Sequence, residues 1–264
     1  MENFLIVPNL KDNSSKQQKL LARKRYTRAP IIEAVIDIQV QLPKTFSIEH
    51  LEHLTWGTPG EYSGTSPMLQ ANIALTENST AFTAHTNLGF RSFSADKKWI
   101  IQARHDGFSL SRLAPYNAWE VFIQEARRFW PIYTSIAKPI GITRIAVRYI
   151  NKLDLPLPIT DFGDYLATVP TFAPTFGKGV NRFVIQVQVP QDSIPGGTLI
   201  LNEGIIEATD VNTVSVLLDI DLQQQISLSV DDDTLWEHLE LLHVRKNEIF
   251  EASITDKTRE LISS

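Results

Sequence analysis

Cysteine does not occur anywhere in the 264 residues. Disulfides, thiolate metal sites and a cysteine nucleophile are therefore excluded, and a reducing compartment is the natural home. Long apolar runs are missing as well. Nothing approaches the roughly 18 consecutive apolar residues of a membrane span. The opening MENFLIVPNLKDNSSK lacks the charged segment and apolar core of a secretory leader. The expectation is a cytoplasmic protein with no membrane partner.

The common signatures of catalysis are also wanting. There is no GxSxG elbow and no HExxH pair. His50 and His53 are three apart but need a third ligand from elsewhere, and His238 and His243 are five apart, off a common helix face. All four are expected on helix surfaces, with no metal and no identifiable cofactor. In FGKGV, Gly177 and Gly179 flank Lys178 without P-loop spacing, and a strand pattern follows. A flexible loop is expected there, with Lys178 at most a mobile contact for a phosphorylated ligand.

What is present describes an ordinary globular chain: 43% hydrophobic and 21% charged, enough for a substantial core. The net charge of −5 is unevenly spread. Lys11, Lys16, Lys19, Arg23, Lys24, Arg25 and Arg28 crowd the N-terminus, leaving the rest more acidic. Tyr26 is the one aromatic residue within this cluster, short of the repeated interleaving that single-strand binders require, so a solvated basic extension over 1–28 is expected and not a nucleic-acid arm.

From residue 29 onward the pattern sharpens. Ile32, Ala34, Ile36, Ile38 and Val40 alternate with Glu33, Val35, Asp37 and Gln39, the period of a half-buried strand over 30–43. A short helix capped by Ser47 and a turn-rich loop over 56–67 should follow, then a meander of short strands over 68–75, 80–86, 89–94, 99–104 and 107–112. Apolar spacing predicts a helix over 117–137, kinked or restarted at Pro131. A second strand over 142–156 leads to a short helix capped by Thr160, strands over 182–189, 198–208 and 213–222, and a long helix over 232–263. Ser253-Ile-Thr-Asp offers a place to interrupt that helix with a new cap at Thr255. The expected fold is α+β, an antiparallel β-sheet with two long helices. Each half (29–140 and 141–264) reads strand, short helix, meander, long helix, which suggests an internal duplication packed as one unit.

Three stretches carry a resemblance: PIIEAVIDI from Pro30, ITRIAVRYINKLDLP from Ile142, and NEIFEASIT from Asn247. Together they resemble the API-x-EA, RYIN and N-x-IFE-x-SIT blocks of a sporadically distributed bacterial family of uncharacterised proteins of similar length. The resemblance implies no established activity. Patchy occurrence fits a defence-linked or antitoxin-like role.

The most informative constellation by periodicity is a polar sheet face. Glu33 and Asp37 share one side of the first strand, Arg144, Arg148 and Lys152 one side of the central strand, and Asp219 and Asp221 one side of the last. Cross-strand ion pairing on a wet face accounts for such rows. If the face is enclosed, the arginines would take a small anionic ligand and the carboxylates a hard divalent ion. The expected function is a non-enzymatic binding protein for a protein partner or a small anionic ligand. The alternative is a metal-dependent enzyme acting on a phosphorylated substrate at that face. Unpaired sheet edges make a homodimer reasonable. In the last helix Phe250 should plug the core and Asn247 satisfy a nearby backbone group. Asn151 should bond to backbone where its strand ends, and Trp56, in a loop, should either form a contact surface or fold back onto the core.

Overall fold

The computed structural model describes residues 26–75, 81–171, 173, 175 and 180–263. Most of the basic extension and the Lys178 loop lie outside these. Nine strands form a single antiparallel sheet: β1 Ile31–Gln41, β2 Tyr62–Leu75, β3 Ala81–Ser94, β4 Trp99–Arg104, β5 Gly107–Leu113, β6 Gly141–Pro156, β7 Val184–Gln191, β8 Gly197–Ile206 and β9 Thr213–Leu228. Their spatial order is β2-β3-β4-β5-β1-β6-β9-β8-β7. Three helices accompany them: α1 Trp119–Ala137, α2 Thr234–Ser253 and α3 Asp256–Ser263.

The centre of the sheet is the β1–β6 pair, in which Ala34, Ile36 and Ile38 lie opposite Tyr149, Val147 and Ile145. All six are buried, because alternation turns them toward the face that the helices cover. α1 buries Trp119, Phe122, Ala126, Phe129, Trp130, Tyr133 and Ala137, a stripe at helical spacing. Its rings meet Phe108 of β5, with centroids 6.2 Å away for Trp130 and 6.0 Å for Tyr133. α2 packs on β6 and β9. Trp56 folds back onto the core, its ring between Phe108 and Phe129.

Several local expectations need correction. The two short helices are single 3-10 turns, Ile48–Leu51 and Phe162–Asp164. Ser47 precedes the first but spends its hydroxyl on the Glu49 carboxylate. Before the second, Asp161 and not Thr160 accepts from the Gly163 amide, at 2.7 Å. The 62–67 segment belongs to β2, because Tyr62 and Ser63 pair with Ser94 and Phe93. The strands expected over 80–86 and 89–94 are one strand, β3. α1 runs through Pro131 as one helix. The long C-terminal helix is two, interrupted at Ser253-Ile-Thr-Asp as that stretch allowed: Ile254 adopts extended backbone and bridges Leu166. Thr258 of α3 then donates to the Tyr165 carbonyl at 2.6 Å.

Candidate functional site

The face of the sheet away from the helices carries the polar rows. Arg148 meets Asp219 in a two-pronged pair, Nε–Oδ1 2.8 Å and Nη2–Oδ2 2.7 Å. Asn202 donates to the same carboxylate at 3.0 Å. Asp37 accepts from Arg144 at 2.8 Å and from Arg104 at 2.7 Å. Arg144 also reaches Gln223, which donates to Asp221. Burial pushes the Asp221 carboxyl above the usual aspartate range, against the pull of Gln223 and the arginines. The Glu33 charge is felt by Arg148. Lys152 stands apart, bonded to Thr209 and paired with Asp154 at 3.3 Å. Periodicity thus brings six of the seven expected residues onto one surface, where each of the three arginines already has a carboxylate.

A different place gathers chemistry without satisfying it. Where α1 begins, a cleft of about 200 Å³ opens between that helix, the start of β1, the middle of β6 and the second half of α2. Pro30 and Ile31, Tyr149 and Asn151, and Asn247, Phe250 and Glu251 all line it, so the three stretches PIIEA, RYIN and NEIFE converge there.

α2 explains how. Its buried stripe runs Leu235, Leu239, Leu242, Lys246, Ile249 and Phe250, so Lys246 occupies a position that helical spacing reserves for an apolar side chain. Only 5% of Lys246 is exposed. Its Nζ lies 3.5 Å from the centroid of the Tyr149 ring and donates to Asn247 Oδ1 at 2.5 Å. No ion pair joins it to a carboxylate among the described residues. Burial therefore dominates its acidity, pulling the ammonium pKa from 10.5 to about 7.

His243, one turn earlier, lies flat against Trp119 with centroids 4.2 Å apart and planes 2° from parallel. Burial, and then the Lys246 charge, hold its pKa well below the ordinary value, so the ring is neutral. Asn247 Nδ2 donates to its Nε2 at 3.2 Å, while Nδ1 is buried with no partner among the described residues. Both outcomes differ from expectation: His243 is a buried residue and not a surface one, and Asn247 serves side chains and not backbone.

The other walls are polar but occupied. Tyr116 and Tyr149 share a hydroxyl contact of 2.6 Å. Asn151 donates to the Tyr149 and Leu218 carbonyls, the backbone bonds expected of it, but within β6 and not where the strand ends. Glu251 accepts from Tyr26 at 2.5 Å and pairs with Arg259 at 2.9 Å. Glu240 accepts a hydrogen bond from the Trp119 indole N–H. The first turn of α1 faces this space through Ala118, Trp119 and Glu120, and its N-cap, Ala118, has no side chain to offer the turn's amides.

Periodicity missed Lys246 and His243. The signal was there: a lysine four residues after one core leucine and three before a core isoleucine breaks an otherwise apolar stripe. No family model and no curated protein matches this chain.

Proposed function

We propose that the protein is a non-enzymatic binding protein that holds a small anionic ligand in the cleft between α1, β6 and α2. One observation carries this reading: a buried amine without a carboxylate and an uncapped helix N-terminus open onto the same cavity. Each favours negative charge, the amine by direct pairing and the helix end by its amides and dipole. Ile31, Tyr149 and Phe250 add apolar surface to the same cleft, and less polar surroundings strengthen both.

The alternative, a metal-dependent enzyme on a phosphorylated substrate at the polar sheet face, has less support. The arginines of that face are already paired within the sheet. No three histidine or carboxylate side chains gather as metal ligands among the described residues.

The same reading takes the chain as two related halves. The strand orders β5-β1 and β6-β9, with each meander running inward from the sheet edge to the centre and each half closing with a helix, are what a duplicated unit would leave. On that view the cleft lies at the seam.

The test is thermal stabilisation by lactate, pyruvate and inorganic phosphate. At least one should raise the melting temperature of the wild type and of Lys152→Met, and fail on Lys246→Met. A wild type indifferent to all three, or a shift that survives Lys246→Met, overturns the reading.

A further inference from the structure

The amine in this cleft has a chemistry that anion binding alone does not use. An ordinary lysine is unprotonated in only about one molecule in three thousand at pH 7, because its pKa is near 10.4. Its lone pair is therefore unavailable for bond formation. Lys246 differs by position. It is enclosed by the Tyr149 ring and the Asn247 amide, it pairs with no carboxylate among the described residues, and it lines a cavity large enough for a small molecule. Desolvation of this kind is the standard means of making a lysine a nucleophile toward carbonyl compounds.

Resting on the anion-site reading above, we propose that Lys246 captures a small 2-oxo acid as a reversible imine, with the acid's carboxylate held at the uncapped first turn of α1. The amine lone pair forms a C–N bond to the keto carbon while the carbonyl π pair moves onto oxygen. The two amine protons leave with that oxygen as one molecule of water, and a C=N double bond remains. No oxidant, reductant or metal is needed. Protonation of the imine nitrogen gives a cation that the ligand's own carboxylate can pair, since Glu251 on the cleft wall is already engaged by Arg259 and Tyr26.

The surroundings suit the step. His243 is neutral and adds no competing cation. Glu251 is engaged by Arg259 and Tyr26, and Glu240 by the Trp119 indole. Glu120 is exposed on the first turn of α1, so the acid is confined to the amide end of that turn and away from its side chain. Burial keeps Tyr26 and Tyr149 protonated, and the hydroxyls of Tyr116 and Tyr149 bond to each other. A 2-oxo acid uses both features of the cleft, whereas a hydroxy acid of the same size uses one.

The experiment incubates the full-length protein with pyruvate and sodium cyanoborohydride near pH 7, followed by intact mass and peptide mapping. The expected result is one carboxyethyl group per chain, on Lys246, ahead of every exposed lysine. It should be slowed by excess lactate and absent in Lys246→Arg, which keeps the charge but cannot form the imine. Lys246→Met serves as a second variant if the arginine does not fit. Label spread over exposed lysines with Lys246 unmodified overturns the proposal. If pyruvate and lactate stabilise the protein equally and Lys246 stays unlabelled, the imine fails while the anion site stands. If neither acid stabilises or labels it, both fail.

Discussion

Lys246 Nζ sits 3.5 Å from the centre of the Tyr149 ring, so the most buried ammonium in α2 faces a π cloud and not a carboxylate. A ring face stabilises a cation by about 0.5–2 kcal/mol, well short of the several kcal/mol that desolvating an ion costs. The residue therefore weakens the fold at neutral pH and below.

Lys246→Met should accordingly melt higher than the wild type at pH 6, with the gap closing by pH 9. The sign follows from proton counting. Between about 7 and 10.5 the unfolded chain holds a proton that the folded chain has lost, so wild-type stability rises with pH across that window. The slope is at most about 1.4 kcal/mol per pH unit. Denaturant melts of both proteins across the window measure it. A parallel pH dependence in the two would show that Lys246 is paired in solution.

Glu203 should do the opposite. It is 1% exposed, both its oxygens are without partners among the described residues, and burial raises its pKa from 4.5 to about 7. Here the folded chain holds the extra proton, so stability falls as pH rises from about 4.5 to 7 and the full penalty persists above that. Glu203→Gln should remove this fall. Together the two groups place a shallow minimum near pH 7, which melts of the double variant should flatten.

Arg148→Ala should destabilise the protein by about 2–4 kcal/mol, because Asp219 would be left buried beside only Asn202. Half-exposure of the arginine places the effect below that of a fully buried pair. Adding Asp219→Asn should restore much of the loss, and chemical denaturation of the four proteins in the cycle gives the coupling. Additive losses would mean that the pair contributes nothing of its own.

Gly107→Ala should cost roughly 2–4 kcal/mol. A Cβ at this position would stand 2.2 Å from the Ile38 carbonyl oxygen, an atom of the central strand's own backbone that cannot yield. Thermal melts should show a clear drop, and a variant as stable as the wild type would mean that β1 and β5 are more loosely joined than their register indicates.

Much of the fold was legible because its strands are wet on one side and dry on the other. Alternation placed β1, β4, β5 and β6 to within a residue or two, and put Asp37, Arg144, Arg148 and Asp219 on one surface. Boundaries failed where a distant contact decides them. Ser94 draws Tyr62 into β2, and Phe93 does the same for Ser63. The cleft was less visible for a related reason. Its walls come from segments more than 200 residues apart, and a lysine on a helix is read by default as solvated. Only its phase in the apolar stripe betrays it.

All nine strands are in place by Leu228, yet α2, which bears Lys246, begins only at Thr234. A polypeptide released early, just after β9, would therefore own every rung of the ladder and still lack the buried amine and the imidazole stacked one turn before it.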